Sequence, residues 1–189
     1  APLCEKNSVV LLATGASSPK ITQAGDYVFR IWNSDTYEGQ VVGEYAKDFL
    51  KIKKVATLFV NNDFGFGLKE AFEKGFGEIE ITEPFEQQSN EYRTQLNKIL
   101  KKKPEAIYLV GYSKNCIQIF KQARELGYEG RWLGSSVMLD TSVIEAVQKA
   151  NYTLYYPTPV TPDSTSKSFE KFKSSYKKKY NEEPPALAD

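Results

Sequence analysis

Residues 55–76, VATLFVNNDFGFGLKEAFEKGF, contain the pattern that decides the fold of this chain. Val55–Val60 is a short apolar, β-branched and aromatic run, which predicts a buried strand. The Asn-Asn-Asp turn after it predicts that Asp63 caps a helix, and Gly65 and Gly67 allow close backbone approach. Apolar residues at helical spacing predict the helix itself: Leu68, Ala71, Phe72 and Phe76. The loop of this strand–loop–helix unit lies at the strand end where open α/β sheets bind ligands.

A strand followed by a helix recurs about every 25 residues after this unit, which is the length of a short βα pair. The later predicted strands cover residues 79–85, 106–110, 132–134 and 153–156, and the predicted helices cover residues 91–103, 116–126 and 142–150. Residues 79–85 alternate apolar and polar side chains, so this strand is half-buried or at a sheet edge. Residues 55–156 are therefore expected to form a parallel α/β sheet of about five strands with right-handed crossovers.

Two further strands, at residues 9–13 and 27–32, precede this sheet, and a helix capped by Ser34 or Asp35 follows them. Two strands are too few to form a stable sheet alone. They either join the main sheet or belong to a second lobe that is incomplete in this chain. The helix is expected to bury one apolar stripe, which consists of Tyr37, Val41, Val42, Tyr45, Phe49 and Leu50.

The regular alternation ends at residues 156–159, which read Tyr-Pro-Thr-Pro. Proline cannot continue a central strand, so the chain is expected to leave the sheet there. A Lys-rich helix is predicted over residues 166–180, with Phe169, Phe172 and Tyr176 at helical spacing. Its lysines are expected to form a solvated face with favourable charge at the helix C-terminus.

Composition limits the classes of function. The 189 residues are 41% hydrophobic and 26% charged, which suits one α/β domain or two small ones, and a net charge of +1 gives no electrostatic reason for nucleic-acid binding. Histidine is absent, which excludes Ser-His-Asp catalysis and His-ligated metal sites. Gly65 and Gly67 would suit a dinucleotide loop, but position 70 is Glu where a third glycine is needed. Cys4 and Cys116 lack the spacing of a metal or redox site and are expected to be buried free thiols, with a disulfide as the alternative in an oxidising compartment. No catalytic residue, metal or cofactor is therefore expected.

Several motifs, in their order along the chain, resemble the branched-chain amino-acid substrate-binding proteins of ABC transporters, which are type I periplasmic binding proteins. The motifs are VVLLATGASSP (9–19), YVFRIWNSD (27–35), VATLFVNNDFGFGLKEAF (55–72), PEAIYLVGY (104–112), QARELGYEGRWLGSS (122–136), YYPTPVTPDS (155–164) and FKSSYKKKYNEEP (172–184). The resemblance covers essentially the whole chain, and its specificity lies in the order of the motifs. It implies a doubly wound parallel α/β sheet within one of two lobes that close on a ligand.

The resemblance also implies how the chain divides. Residues 1–36 would be a partial first-lobe segment, residues 37–158 a complete second lobe, and residues 159–189 a return segment toward the first lobe. Residues 33–36 would be the first hinge crossing, and residues 156–161 the third. The chain then looks like an internal fragment of a binding protein.

A free amino acid needs hydrogen-bond donors for its carboxylate, acceptors for its ammonium and an apolar or aromatic wall for its tail. The resemblance places Gly15 and Ser17 at contacts suited to the carboxylate. Phe64 stands where the family commonly has Tyr, and Tyr112 is a second aromatic wall position. Ser136 stands where the family often has an acidic acceptor for the ammonium. Because serine is uncharged, other small carboxylates or amides are also admitted as ligands.

The function that the resemblance implies is not enzymatic. It is that of a periplasmic or extracytoplasmic solute-binding protein, which closes by hinge motion on a small amino acid or a related carboxylate or amide. Its partner would be the membrane permease of an ABC transporter, with no nucleic acid involved. The alternative with the same fold is the ligand-sensing domain of a receptor or regulator. The unpaired first-lobe strands also offer a route to self-association.

Overall fold

The computed structural model describes residues 1–158 and 166–184, and they fall into two compact units. The first unit is Ala1–Pro157, and the second begins at Thr158. The predicted third hinge crossing at residues 156–161 and the return segment from residue 159 lie partly outside the described residues.

Strands and helices alternate through the described residues. The strands are β1 (Leu11–Ala13), β2 (Val28–Arg30), β3 (Val55–Val60), β4 (Ile81–Phe85), β5 (Ala106–Val110), β6 (Arg131–Gly134) and β7 (Leu154–Tyr155). The α-helices are α1 (Pro2–Lys6), α2 (Asp35–Glu44), α3 (Asp63–Phe76), α4 (Arg93–Lys101), α5 (Ser113–Glu125), α6 (Thr141–Lys149) and α7 (Lys167–Tyr180). Short 3₁₀ helices lie at Pro19–Gln23 and Ser136–Leu139, and a π-helical segment, Tyr45–Phe49, extends α2.

The main sheet has five strands in the spatial order β4-β3-β5-β6-β7, and every neighbouring pair is parallel. The predicted parallel sheet is therefore confirmed, and β4 is an edge strand as its alternating sequence indicates. After β3 the chain goes to β4 on one side and then returns to β5 on the other side. The strand order thus reverses between β3 and β5, and the gap outside their carboxyl ends is the place where sheets of this kind bind ligands.

Two apolar cores cover the two faces of the main sheet. On one face, residues of α4, α5 and α6 pack against the sheet around the fully buried Phe120 and Trp132. On the other face, α2 and α3 pack around Phe72, whose ring stacks on Tyr108 of β5 with the ring centroids 4.0 Å apart. Helices on both faces of a parallel sheet make the fold doubly wound, as predicted.

The two early strands do not join the main sheet. β1 and β2 pair with each other in parallel, with Leu11 opposite Val28 and Ala13 opposite Arg30. This two-stranded sheet and the residues that flank its strands leave large apolar side chains exposed, namely Val9, Val10, Leu12, Phe29 and Ile31. Of the two arrangements that the sequence left open, the structure thus has the separate sheet.

The predicted apolar stripe of α2 is wrong. Tyr37 is 67% exposed and Phe49 is 70% exposed, although Val42 is buried. The buried face instead consists of small and acidic residues, which are Asp35, Glu38, Gly39, Gly43 and Ala46. The physical reason is a close approach of two helix backbones, because a Cβ atom at Gly39 would lie 2.6 Å from the carbonyl oxygen of Leu68 in α3.

The second unit contributes α7, which begins after Ser166, whose hydroxyl accepts a hydrogen bond from the Phe169 amide. Phe172 and Tyr176 lie on one side of this helix with ring centroids 6.0 Å apart. Phe172 is only half-buried, and α7 contains no buried residue. Among the described residues, no helix combines the length and the apolar character needed to cross a bilayer.

Candidate functional site

Phe64 and Tyr112 form an aromatic wall at the switch point of the main sheet. Phe64 follows β3 and Tyr112 follows β5, so parallel pairing brings both side chains to the same sheet edge. The two rings stack with their centroids 5.5 Å apart and an angle of 25° between their planes. Phe64 is half-buried and Tyr112 is 38% exposed, so the wall has both a packed side and an open side.

Asn62 connects the two loops that carry this wall. Its side-chain oxygen accepts a hydrogen bond from the Gly65 amide at 3.0 Å, so Asn62 is the cap of α3. The predicted cap, Asp63, is the first residue of the helix instead. The side-chain nitrogen of Asn62 donates to the hydroxyl of Tyr112 at 3.3 Å. Sequence reasoning recognised this turn but missed the role of Asn62, because its second partner is far away in the chain.

The loop after β5 is shorter than the sequence predicts. Helix α5 begins at Ser113 rather than at Cys116, and Tyr112 is its capping residue. The side chain of Asn115 accepts a hydrogen bond from the Tyr112 amide at 3.3 Å and donates to the Tyr92 hydroxyl at 2.9 Å. These bonds fix the backbone of Tyr112 and therefore the position from which its ring projects.

Gly15 and Ser17 lie in the loop that follows β1. Arg30 of β2 holds this loop, because its guanidinium donates to the carbonyl oxygen of Ser17 at 3.1 Å and to that of Ser18 at 2.9 Å. The Asp35 amide, at the start of α2, also donates to the Ser17 carbonyl at 3.1 Å. Gly15 is exposed, and a Cβ atom there would meet open space. The loop is thus anchored through its carbonyl groups.

Ser136 begins the 3₁₀ helix after β6 and is half-buried. Its amide donates a hydrogen bond of 2.7 Å to a carboxylate oxygen of Glu38 in α2. The side chain of Ser135 before it is fully buried, and its hydroxyl has no hydrogen-bond partner among the described residues. The segment after β6 is therefore attached to the first turn of α2 by a charged acceptor.

Asp35 and Glu38 are two buried carboxyl groups that sequence reasoning missed. Their side chains are 1% and 7% exposed. Burial raises the pKa of Glu38 most strongly, while hydrogen bonds from Ser136 lower it and the charge of Asp35 raises it further. Burial likewise raises the pKa of Asp35, and Ser17 and Arg30 oppose that shift. The only sequence signal for this pair is the presence of two acidic residues three positions apart in the first turn of α2. Because acidic residues in a first helical turn usually face solvent, this signal does not predict burial.

Lys20 and Asp63 form an ion pair beside the aromatic wall. The Lys20 ammonium lies 2.9 Å from a carboxylate oxygen of Asp63, and both side chains are about three-quarters exposed. Lys20 belongs to the 3₁₀ helix after the Ser17 loop, whereas Asp63 precedes Phe64. The pair therefore joins the 3₁₀ helix that follows β1 to the first residue of α3.

Four of the five predicted site residues form two groups. Phe64 and Tyr112 touch each other at the switch point. Ser17 and Ser136 do not touch but are held by residues of the same helical turn, Asp35 and Glu38. The described hydrogen bonds and ring contacts join Gly15 to neither group. The arrangement provides an aromatic surface, loop amides and a buried negative charge, and these features suit binding rather than bond cleavage.

Comparison with known protein families gives a match along nearly the whole chain. A family model described as a periplasmic binding protein matches residues 1–188. A leucine-, isoleucine-, valine-, threonine- and alanine-binding protein of Pseudomonas aeruginosa is 24% identical over 135 residues, which are 69% of this chain and 36% of the relative. A Leu/Ile/Val-binding protein homologue of Brucella melitensis is 25% identical over 141 residues, or 72% of this chain and 38% of that protein.

Solved structures agree with this match. A leucine-binding protein of Thermotoga maritima superposes with a TM-score of 0.88 at 28% identity, covering 99% of this chain and 55% of that one. A branched-chain amino-acid substrate-binding protein of Streptococcus pneumoniae, solved with isoleucine, gives a TM-score of 0.81 at 26% identity, covering 98% and 54% of the two chains. The chain thus spans about half the length of these structures and less than two-fifths of the curated relatives above.

Proposed function

Because this chain belongs to the periplasmic binding protein family, we propose that it acts in an extracytoplasmic solute-binding protein of an ABC transporter. The relatives are named as binding proteins for amino acids rather than as enzymes, which supports a binding role at the level of the family. The ligands named for these relatives support a small amino acid, or a related carboxylate or amide, as the ligand of this chain. The permease of the transporter is then the partner that receives the ligand.

The observation that carries this proposal is the aromatic wall of Phe64 and Tyr112 at the switch point of the main sheet. An apolar tail can pack on the open side of these rings, since aromatic faces bury large areas at little entropic cost. The loop amides around Gly15 and Ser17 are suited to a carboxylate, and the Ser136 hydroxyl is suited to accept from an ammonium. These parts match the three needs of an amino-acid ligand.

The proposed mechanism is hinge closure between two lobes, in which the ligand shifts a pre-existing equilibrium toward the closed form. In this proposal, residues 1–36 belong to the first lobe and residues 37–158 form the second lobe. The Lys20–Asp63 ion pair then connects the 3₁₀ helix of the first-lobe segment to the start of α3 in the second lobe. An exposed pair of this kind contributes about 1 kcal/mol or less, so ligand contacts must supply most of the closing free energy.

Calorimetric titration of the full-length protein with leucine, isoleucine, valine, threonine and alanine tests the proposal. At least one of them should bind, and Phe64→Ala and Tyr112→Ala should each weaken that binding about 3- to 10-fold through the loss of ring contacts. Phe49→Ala is the matched control, because Phe49 is also exposed but lies 14 residues beyond Asp35, roughly 21 Å along the helix.

The control variant should bind as tightly as the unmodified protein. If none of the five amino acids binds, the assignment to amino acids is overturned. Equal losses for all three variants, with each shown to be folded by circular dichroism, would overturn the placement of the site at the aromatic wall, because a distant exposed ring would then matter as much as Phe64 and Tyr112.

A further inference from the structure

The carboxylate of Glu38 lies directly behind Ser136, the residue expected to accept from a ligand ammonium. Glu38 is 7% exposed, and one of its carboxylate oxygens accepts from the Ser136 amide at 2.7 Å. The Ser136 hydroxyl also lies close enough to this carboxyl group to lower the pKa of Glu38. The negatively charged Glu38 carboxylate therefore contacts Ser136, a residue of the candidate site whose own side chain is uncharged.

This negative charge is not neutralised by a neighbouring cation. Neither Glu38 nor Asp35 forms an ion pair within the part of the chain that the structure describes. Arg30 lies near Asp35, but its guanidinium donates to the carbonyl oxygens of Ser17 and Ser18 and to the Thr22 hydroxyl. The first turn of α2 thus carries an excess of negative charge beneath the loops of the site.

A hydroxyl that donates to a carboxylate turns its lone pairs away from that carboxylate and becomes a better acceptor. Ser136 in this state can accept a hydrogen bond from a cationic N–H group on its other side. We propose that Glu38 is a specificity-determining residue, whose charge acts through Ser136 to select ligands that carry an ammonium group. This inference rests on the proposed function and adds the chemical class of the ligand, a zwitterion rather than a simple carboxylate.

The surroundings of Glu38 define how the selectivity should depend on pH. The groups that face it are Ser136 after β6, Asp35 on its own helix and Tyr108 of β5, whose pKa is raised by its burial and by these two acids. Burial raises the pKa of Glu38 itself above its ordinary value, so the carboxyl group gains its proton at a higher pH than an exposed glutamate does. Acidification should therefore remove the charge and weaken the preference for an ammonium.

Two probes separate this role from a structural one: leucine, and 4-methylpentanoate, which is leucine without its ammonium. Glu38→Gln keeps an oxygen that can accept from the Ser136 amide but removes the charge. In the full-length protein, this substitution should weaken leucine binding about tenfold or more and change 4-methylpentanoate binding by less than about threefold. Glu44→Gln, an equal change at an exposed position of the same helix, should alter neither affinity.

Measurements at several pH values give a second readout. Leucine binding by the unmodified protein should weaken as the pH falls through the raised pKa of Glu38, whereas Glu38→Gln should show a flatter profile. If leucine binds and Glu38→Gln changes both affinities equally, or changes neither, the role of Glu38 is overturned while the proposed function stands. If leucine binds to no form of the protein, the inference fails together with the amino-acid assignment.

Discussion

At the scale of single residues, the aromatic wall shows what a sequence can and cannot provide. The sequence is sufficient to predict that Phe64 and Tyr112 share a sheet edge, because both follow parallel strands. Their stacking, and the bond from Asn62 to Tyr112, depend on the register of β3 and β5 and on the caps of two helices. Glu38 escaped prediction because its partner is 98 positions away and acidic residues in a first turn usually face solvent.

Asp35 is the residue whose charge should matter most for stability. Neither of its carboxylate oxygens has a hydrogen-bond partner among the described residues, and its pKa is raised by burial above the ordinary value of 3.8. The folded protein therefore holds this proton to a higher pH than the unfolded chain does. The free energy of unfolding should fall as the pH rises from about 3.8 through the raised pKa.

Asp35→Asn removes this penalty, so we expect it to raise the free energy of unfolding at neutral pH by about 1 kcal/mol or more. The gain should shrink as the pH is lowered and Asp35 becomes protonated. Urea denaturation at several pH values measures both effects. Asp48→Asn, at an exposed position on the π-helical extension of α2, should leave the stability within about 0.5 kcal/mol at every pH. A gain for Asp35→Asn that does not depend on pH would contradict the explanation.

At the scale of elements, the contact between α2 and α3 corrects the apolar-stripe prediction. Periodicity identified the aromatic face of α2 as the buried face, whereas the glycine face is the one that meets α3. The spacing of Gly39 and Gly43, four residues apart, was the available signal. Such spacing places two small residues on one side of a helix, but it cannot reveal which neighbouring helix approaches. By contrast, β3 and β5 were predicted with their observed bounds, because both are uninterrupted runs of apolar, β-branched and aromatic residues. Helix α3 was predicted nearly as well, because its apolar residues recur at helical spacing.

Gly43→Ala tests the close approach of the two helices. A Cβ atom at Gly43 would lie 2.5 Å from the carbonyl oxygen of Phe72 and 2.7 Å from the amide nitrogen of Phe76. Both are backbone atoms that cannot move aside, so we expect a loss of about 1–3 kcal/mol in the free energy of unfolding. Gly15→Ala is the matched control, and denaturation curves should show it within about 0.5 kcal/mol of the unmodified protein. A stable Gly43→Ala variant would mean that the helices lie farther apart.

At the scale of the whole molecule, the two-stranded sheet leaves large apolar side chains uncovered. Leu12 and Phe29 are more than half exposed, and they lie opposite each other in β1 and β2. An exposed apolar strand pair is a template for further pairing. The sequence indicated two strands apart from the main sheet, but their exposure depends on what lies beyond each strand, which local patterns do not contain.

The 189-residue chain alone should therefore behave differently from the full-length protein. We expect it to self-associate as its concentration rises, and light scattering measures this directly. Replacing Leu12 and Phe29 by Lys should shift it toward the monomer, whereas replacing Lys114 and Lys121 by Arg should not. A monomer at all concentrations would contradict the expectation.

Ligand binding by the same chain should also be weak. A ligand at about 100 times its dissociation constant stabilises a protein by about 2.7 kcal/mol. We expect the five amino acids to produce a much smaller thermal shift in the isolated chain than in the full-length protein. A full shift in the isolated chain would show that its residues suffice for the site.

The first turn of α2 has a consequence for protein engineering. It holds the Ser17 loop through the Asp35 amide and the Ser136 segment through the Glu38 carboxylate. A graft that moved only the Ser135–Ser136 segment into a related scaffold would lack the Glu38 carboxylate that binds the Ser136 amide. A graft of the Ser17 loop alone would lack the Asp35 amide that binds the Ser17 carbonyl oxygen. The smallest transferable cassette is therefore discontinuous, and libraries meant to change ligand preference should vary residues 35–38 together with the two loops.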